Sequence, residues 1–354
     1  MRKIRVILDK LQRLFVGIDM HKRSWTVTVR TRDVEIATTT MPASCDGLLK
    51  FLRPYMAHPI EVVYEAGYFG YWLHDYLVDR GIECIVTPPS LIPEARGNRV
   101  KTDKKDSRKL AKCLANGELK RVYVPTPAER SAREVSRRRR QLIGDRKRVQ
   151  CRIKSVLSTY GISIASPKGK WTARFRVNLG LLKLYDHWLA ASFQQLLIQY
   201  DQLTDLIHKQ TALLEQLAAT EPYRARVALL HSLPGVGIIL AMEFLLELQD
   251  VARFRSAKAL AAYLGLTPSQ HSSGESVRLG HITRTGKPTL RGMLIECSWR
   301  AIAKDAALRQ RYDHLQVHIG GKRAIVAIAR RLALIARRLL LDNQLYQPEL
   351  HAAH

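Results

Sequence analysis

The chain has 354 residues, with 58 Lys+Arg against 31 Asp+Glu and a formal net charge of +27. That length accommodates two or three domains with real hydrophobic cores, and an apolar content of 46% is ordinary for a soluble globular protein. The charge excess calls for a polyanionic partner, nucleic acid ahead of an anionic membrane surface. No membrane span is expected: the nearest candidate, 324–341, carries Arg330, Arg331, Arg337 and Arg338 and reads as an amphipathic helix with a basic face. Residues 1–13 are basic without a proper apolar core, so no secretory leader is expected. The five cysteines (Cys45, Cys84, Cys113, Cys151, Cys297) never fall in a C-x-x-C pair. They predict a reducing cytoplasm, no zinc site and no disulfide framework, each being a small buried or half-buried residue.

In chain order, residues 1–125 read as α/β. Leu14–Met20 is a continuous apolar strand, Ser24–Arg30 alternates as a half-buried strand should, and Val34–Met41 is a third. A helix over 44–53 has Ser44 as its N-cap. Ile60–Glu65 is a fourth strand, 71–80 a helix, and 82–87 a fifth strand stopped by Pro88-Pro89. A further helix starts near Thr102. Three consecutive strands, then strand–helix–strand with a terminal helix, is the order of a ribonuclease-H-like domain. Residues 126–220 change character: between Thr126 and Lys154 basic residues outnumber acidic ones eleven to three, and no proline interrupts 128–166. A long exposed helix, a loop at 166–170 and a second long helix over 188–217 predict an antiparallel hairpin or a coiled-coil arm able to dimerise. Residues 221–354 read as a mostly helical domain, interrupted by a polar, irregular stretch at 269–287.

Four acids stand out in this basic chain. Asp19 and Glu65 each close an apolar strand, and Asp103 and Asp106, three apart, share one face of a helix. Carboxylates converging at strand ends suit two Mg²⁺ ions, with Mn²⁺ as a substitute, and in-line attack on a phosphodiester. Taken singly, the same residues are a helix N-cap, an exposed helix acid and a strand-end ion pair. Ser272-Ser-Gly274 is either a plain turn or a loop carrying a nucleophile, which then needs a base or metal. Leu233-Pro-Gly-Val-Gly237 is either a helix–hairpin–helix element, with Gly235 and Gly237 admitting a phosphate, or a tight helix connection. Arg137, Arg138, Arg139 and Arg140, with Arg146, Lys147 and Arg148, form a phosphate-binding face or a solvated run.

Gly17-Ile-Asp-Met-His-Lys22, Tyr64-Glu-Ala-Gly67, Lys101-Thr-Asp-Lys-Lys-Asp106, Leu233-Pro-Gly-Val-Gly237, Tyr263-Leu-Gly-Leu-Thr-Pro268 and Gly280-His-Ile-Thr-Arg-Thr-Gly-Lys-Pro-Thr-Leu-Arg291 follow one another along the chain. With Ser272-Ser-Gly274 they resemble the motifs of the IS110 family of insertion-sequence transposases, also called DEDD transposases or bridge-RNA-guided recombinases. The resemblance covers residues 14–340. It implies a RuvC-like domain (1–125) with catalytic Asp19, Glu65, Asp103 and Asp106, a coiled-coil middle (126–220) and a C-terminal transposase domain (221–354). The family's serine maps onto Ser273, with Ser272 adjacent. The resemblance further implies a composite site assembled across subunits of a dimer or tetramer, donor and target DNA as substrates, and an element-encoded guide RNA. The competing functions are a RuvC-like nuclease that hydrolyses junctions with the carboxylates alone, and a non-catalytic nucleic-acid scaffold.

Overall fold

The computed structural model describes residues 12–93, 102–163, 171–273 and 276–348, with the backbone alone described at 271–273 and 276–279. Lys101, the 166–170 loop and Gly274 therefore lie outside the described residues. The chain divides into two compact units, Met1–Pro125 and Thr126–His354.

In the first unit, β1 (Leu14–Met20) pairs antiparallel with β2 (Ser24–Arg30), which pairs antiparallel with β3 (Glu35–Pro42). On its other edge β1 runs parallel to β4 (Ile60–Glu65), and β4 parallel to β5 (Glu83–Thr87), giving the order β3-β2-β1-β4-β5. This mixed sheet is consistent with a ribonuclease-H-like domain. Alternation sorts the side chains onto two faces. Leu14, Val16 and Ile18 join Trp25, Val62 and Tyr64 in a core that includes Leu48 and Leu52 of α1 (Cys45–Leu52) and Leu73 and Leu77 of α2 (Trp72–Val78). Ser44 caps α1 by accepting from the Gly47 amide. The opposite face, with Phe15, Val63 and Ile85, is covered by Leu110 and Leu114 of α3 (Asp103–Ala115).

Two sequence expectations change here. The strict alternation of β2 predicts one solvated face, yet Thr26 and Thr28 are 1% exposed. They face α3 instead of water: Thr28 Oγ1 lies 2.9 Å from Ser107 Oγ and 2.9 Å from Thr38 Oγ1, so its hydroxyl is satisfied without solvent. The N-cap of α3 is Thr102, which makes Asp103 the first helical residue and not the cap. What seats α3 is Gly17. A Cβ there would stand 2.2 Å from the Ser107 carbonyl oxygen and 2.5 Å from the Ala111 amide nitrogen. The helix backbone thus lies on the strand backbone, closer than any side chain permits.

In the second unit, α4 (Pro127–Thr159) opens with a capping box between Thr126 and Glu129 and pairs with α6 (His187–Ala218). Arg139 Nε donates to Thr211 Oγ1 at 2.8 Å and Arg146 Nη1 to Thr204 Oγ1 at 3.5 Å, so seven residues forward on α4 match seven back on α6. The helices form an antiparallel hairpin. A short helix not expected from the sequence, α5 (Ala173–Gly180), closes one end with Phe175 and Leu179 packed on Ile153, Leu157 and Leu197.

The rest of this unit is α7 (Tyr223–His231), α8 (Ile238–Leu248), α9 (Ala257–Tyr263), α10 (Pro288–Lys304), α11 (Ala306–Ile319) and α12 (Gly321–Asp342) around one apolar core. The stretch expected to be irregular contains an antiparallel hairpin, β6 (Pro268–Ser273) with β7 (Ser276–Ile282), in which Ser273 pairs with Ser276. Its root is crowded. A Cβ on Gly265 would meet the Thr285 carbonyl oxygen at 2.2 Å and one on Gly286 the Tyr263 carbonyl oxygen at 1.9 Å. Both glycines have positive φ, a conformation that disfavours any other residue. The buried Arg291 ties the two segments together, donating to the carbonyls of Leu264 and Thr285 at 3.0 Å each.

Gly17→Ala is expected to cost about 1–3 kcal/mol or more of stability through overpacking, read as a lowered melting temperature. Gly67→Ala, where a Cβ meets nothing nearer than 3.9 Å, should be silent by the same measurement. Gly286→Ala should likewise destabilise. Gly292→Ala, in open space within α10, should stabilise by about 0.5–1 kcal/mol through helix propensity. Equal melting shifts within either pair would contradict the packing described.

Candidate active site

Asp19 is the next-to-last residue of β1 and Glu65 the last of the adjacent parallel β4. The register pairs Ile18 with Tyr64, so the two acids are side by side at the carboxyl ends of their strands. Alternation turns both toward α3, since Gly17 and Val63 face it. In α/β sheets this end is where ligands bind. The first turn of α3 brings Asp103 and Asp106 to the same place.

Among the described residues, one group of metal-binding side chains converges: Asp19, His21 and Asp103, whose ligand atoms all lie within 4.8 Å of one another. His21 Nε2 is 3.3 Å from Asp19 Oδ2 and 3.5 Å from Asp103 Oδ1. Among the described residues Asp19 Oδ2 is buried without a well-formed hydrogen bond, and His21 Nε2 touches it at 3.3 Å. Burial raises the Asp19 pKa, His21 opposes the rise, and the charges of Asp103 and then Asp106 add to it. Asp106 is thus close enough to act on Asp19 electrostatically, though outside the converging triad. Glu65 is exposed at the strand end, beyond that triad as well.

The convergence of Asp19 with Asp103 was expected from the sequence, and the presence of His21 beside them was not. His21 carries no helical or strand periodicity and is one of twelve histidines, so only its place two residues after Asp19, within the first motif, could have marked it. A comparison inside the sheet separates this acid cluster from structural acids. Glu61, 6% exposed at the start of β4, is answered by Arg13 Nη1 at 3.2 Å and Arg121 Nη2 at 3.0 Å. Among the described residues Asp19 pairs with no arginine or lysine and is touched by the His21 imidazole. A buried carboxylate oxygen beside a second carboxylate and an imidazole fits a divalent cation, with Asp19, His21 and Asp103 as the residues that would hold it. Four cysteines are made poorer nucleophiles by burial, which raises the Cys45 pKa and pushes Cys84 up to about 12 and Cys113 and Cys297 to about 11. Cys151 is exposed, against expectation.

In the second unit the expected nucleic-acid residues separate by helix rotation. Arg139 and Arg146 turn inward to α6, while Arg140 Nε is 3.5 Å from the buried Glu243. Arg137 pairs with Glu134 at 2.8 Å, and Arg138, Lys147 and Arg148 are exposed. Arg139 and Arg140 line a cavity of about 910 Å³ with Gly235, Gly237 and Arg300. Gly235, at positive φ, packs on α10, where a Cβ would be 3.0 Å from Cys297 O; Gly237, at the start of α8, has nothing within 4 Å. Arg137, Arg140 and Arg148 line an adjoining groove with Thr289. Ser272 and Ser273 lie at the end of β6, described through their backbone alone.

A sequence model of the family described as "Transposase IS116/IS110/IS902 family" matches residues 227–313, and an IS110-type DEDD model described as "Transposase" matches 16–162. The putative transposase y4qE of Sinorhizobium fredii is 32% identical over 293 residues, spanning 80% of this chain and 71% of the relative. The chain belongs to the IS110 family of transposases. The transposase for insertion sequence element IS1111A of Coxiella burnetii is 25% identical over 81% of this chain and 79% of its own length. The pilin gene-inverting protein of Moraxella bovis is 29% identical over 43% of this chain and 47% of its own. For an IS110 transposase with a DEDD domain, divalent-metal use is implied, and the Asp19 cluster at the end of β1 is a candidate metal site. No helix among the described residues is long and apolar enough to cross a membrane.

Ionised Asp19 costs stability at neutral pH, because its folded pKa lies above the unfolded one. Asp19→Asn is therefore expected to melt at or above the parent temperature without metal. It should also lose the melting increment that Mg²⁺ or Mn²⁺ gives the parent protein by preferential binding. An undiminished increment in the variant would remove Asp19 from the metal site.

Proposed function

We propose that this transposase cuts and rejoins DNA strands of an insertion sequence, with Asp19, Glu65, Asp103 and Asp106 as the metal-holding carboxylates and Ser273 as the nucleophile. The observation that carries the reading is the orphaned Asp19 oxygen among converging hard donors at the carboxyl end of the central strand. The cation is Mg²⁺, with Mn²⁺ able to replace it; when bound it supplies Lewis-acid neutralisation of charge developing on the reacting phosphate. The carboxylates orient it, and the apolar strands beneath them exclude water from one side.

Ser273 Oγ attacks phosphorus, forming a phosphoserine ester at the 5′ side as the P–O3′ bond breaks. The proton Oγ releases is matched by the one the departing 3′ oxygen takes up. The bond count is unchanged, so a 3′-hydroxyl can reverse the step and rejoin a strand without an energy source. A relative named for inverting a pilin gene supports rejoining over plain hydrolysis. In the rest of the proposal, DNA and an element-encoded guide RNA bind along the α4–α6 arm through Arg137, Arg138, Lys147 and Arg148. The α7–Gly235–Gly237–α8 segment acts as a helix–hairpin–helix-like phosphate contact, joined by Arg140 beside it. The arm, as a coiled coil, assembles a homo-oligomer in the cytoplasm, at the nucleoid.

Denaturing gels of the full chain with labelled donor DNA test the chemistry. A covalent protein–DNA adduct should form, disappear in Ser273→Ala and persist in Ser272→Ala, while Asp19→Asn should abolish cleavage altogether. Cleavage that survives both serine changes yet still needs Asp19 and metal would replace this reading with a hydrolytic nuclease. A discrete co-purifying RNA is expected from the native complex.

A further inference from the structure

Helix α12 carries two stripes. Ala324, Ile328, Leu332, Ile335 and Leu339 are buried in the core of the second unit. The neighbouring stripe places Arg330, Arg331, Arg337 and Arg338 among Ala327, Leu334 and Leu341, and with Arg311 and Leu315 of α11 it encloses a cavity of about 750 Å³. Its floor is aliphatic and its rim is guanidinium. The single acid among its described lining residues, Asp342, is taken by Arg338 at 3.1 Å. No ion pair among the described residues joins Arg311, Arg330 or Arg337 to a carboxylate. Arg337 is fixed by donating Nη2 to the Phe254 carbonyl at 2.7 Å, and its Nε is buried without an acceptor. Burial and the nearby Arg311 charge push the Arg331 pKa down. The chain thus crowds like charges around a hollow instead of dispersing them.

The arrangement discriminates among partners. A membrane-seeking helix presents its leucines outward and its cations behind them; here the leucines line a concave floor. A second copy of a chain at net +27 offers the wrong sign. A nucleic-acid strand offers both features at once, phosphates for the rim and a base or sugar for the floor, in a volume typical of small-ligand sites. Arg330 and Arg338, eight residues apart on α12, stand about 12 Å apart along the axis at 1.5 Å per residue, too far for one anion and within reach of separate phosphates of one strand. We propose that the α11–α12 cavity is a second nucleic-acid site, built from residues other than those of the α4–α6 arm, that holds a single strand with phosphates on Arg311, Arg330 and Arg338 and a nucleoside against Leu315 and Leu334.

Fluorescence anisotropy of the full chain, with a mixed-sequence single-stranded DNA oligonucleotide and the matching RNA across a salt titration, tests the site. Arg311→Ala combined with Arg330→Ala should weaken binding several-fold. It should also lower the slope of log affinity against log salt by about 0.7 for each phosphate no longer neutralised. Arg311→Lys with Arg330→Lys should keep the slope. Weakening confined to DNA or to RNA supports the site and names its strand. Unchanged slopes for both, in a variant that melts like the parent, overturn it; so does a change limited to oligomeric mass or to phosphatidylserine vesicle binding. Should the double variant melt early, Arg311→Gln at an exposed position is read in the same way. Asp19→Asn is the reference: it should stop cleavage and leave the slope alone, so failure of this site and failure of the strand-transfer reading remain distinguishable.

Discussion

Everything in the first unit depends on how closely α3 can approach β1. Gly17 sets that distance, because the absent side chain lets the Ser107 and Ala111 backbone rest on the strand. Around this contact the polar pair Thr28–Ser107 and the Arg108–Glu35 bond, 2.8 Å from Nη2, fix the helix against sliding. The first turn of α3 then has one place to go, above the end of β1, and its two aspartates arrive beside Asp19. Backbone proximity in the fold interior thus becomes carboxylate proximity at the fold's edge.

The acids at the two ends of the parallel strands behave differently for an electrostatic reason. At the amino end Glu61 is buried between two arginines and its charge is settled within the protein. At the carboxyl end Asp19 is partly buried, crowded by other acids and, among the described residues, countered by His21. Structural acids are neutralised by their own chain, whereas this group leaves negative charge to be neutralised from outside. The second unit shows the same contrast with the opposite sign. Arg139 and Arg146 are bonded inward to threonines of α6, while Arg311, Arg330 and Arg337 around the α12 cavity meet no carboxylate among the described residues.

How much of this was readable beforehand follows from what periodicity encodes. The apolar runs of β1 and β4 and the alternation of β2 matched the strand limits to the residue. The alternation of β2 was visible but its meaning was not: threonine looks solvated in a sequence, and only the partner Ser107 reveals that it is buried. The β6–β7 hairpin was missed because Ser269, Gln270, Ser272 and Ser273 lack the apolar alternation that marks a strand, and its register is imposed by the glycine crossing at its root. Four consecutive arginines read as one surface, yet each helical residue turns about a quarter circle from the last. Which of them faced α6 depended on a helix some seventy residues away. Asp19, Asp103 and Asp106 stood out by their positions on elements, and the fold brings these three near one another, with Glu65 at the end of the neighbouring strand; His21 needed three dimensions.

Glu61 has a meaning beyond neutralisation. Arg13, ahead of the first strand, and Arg121, after the last helix of the first unit, both close on its carboxylate, and Arg121 also reaches Glu83 at 2.9 Å. The segment just before β1 and the segment just after α3 are therefore held side by side by one buried carboxylate. A tie of that kind couples the two: neither segment can peel from the sheet without breaking an ion pair that the other shares. The buried glutamate that looks like an ordinary structural ion pair is, in this sense, a clasp against fraying at both flanks of the sheet.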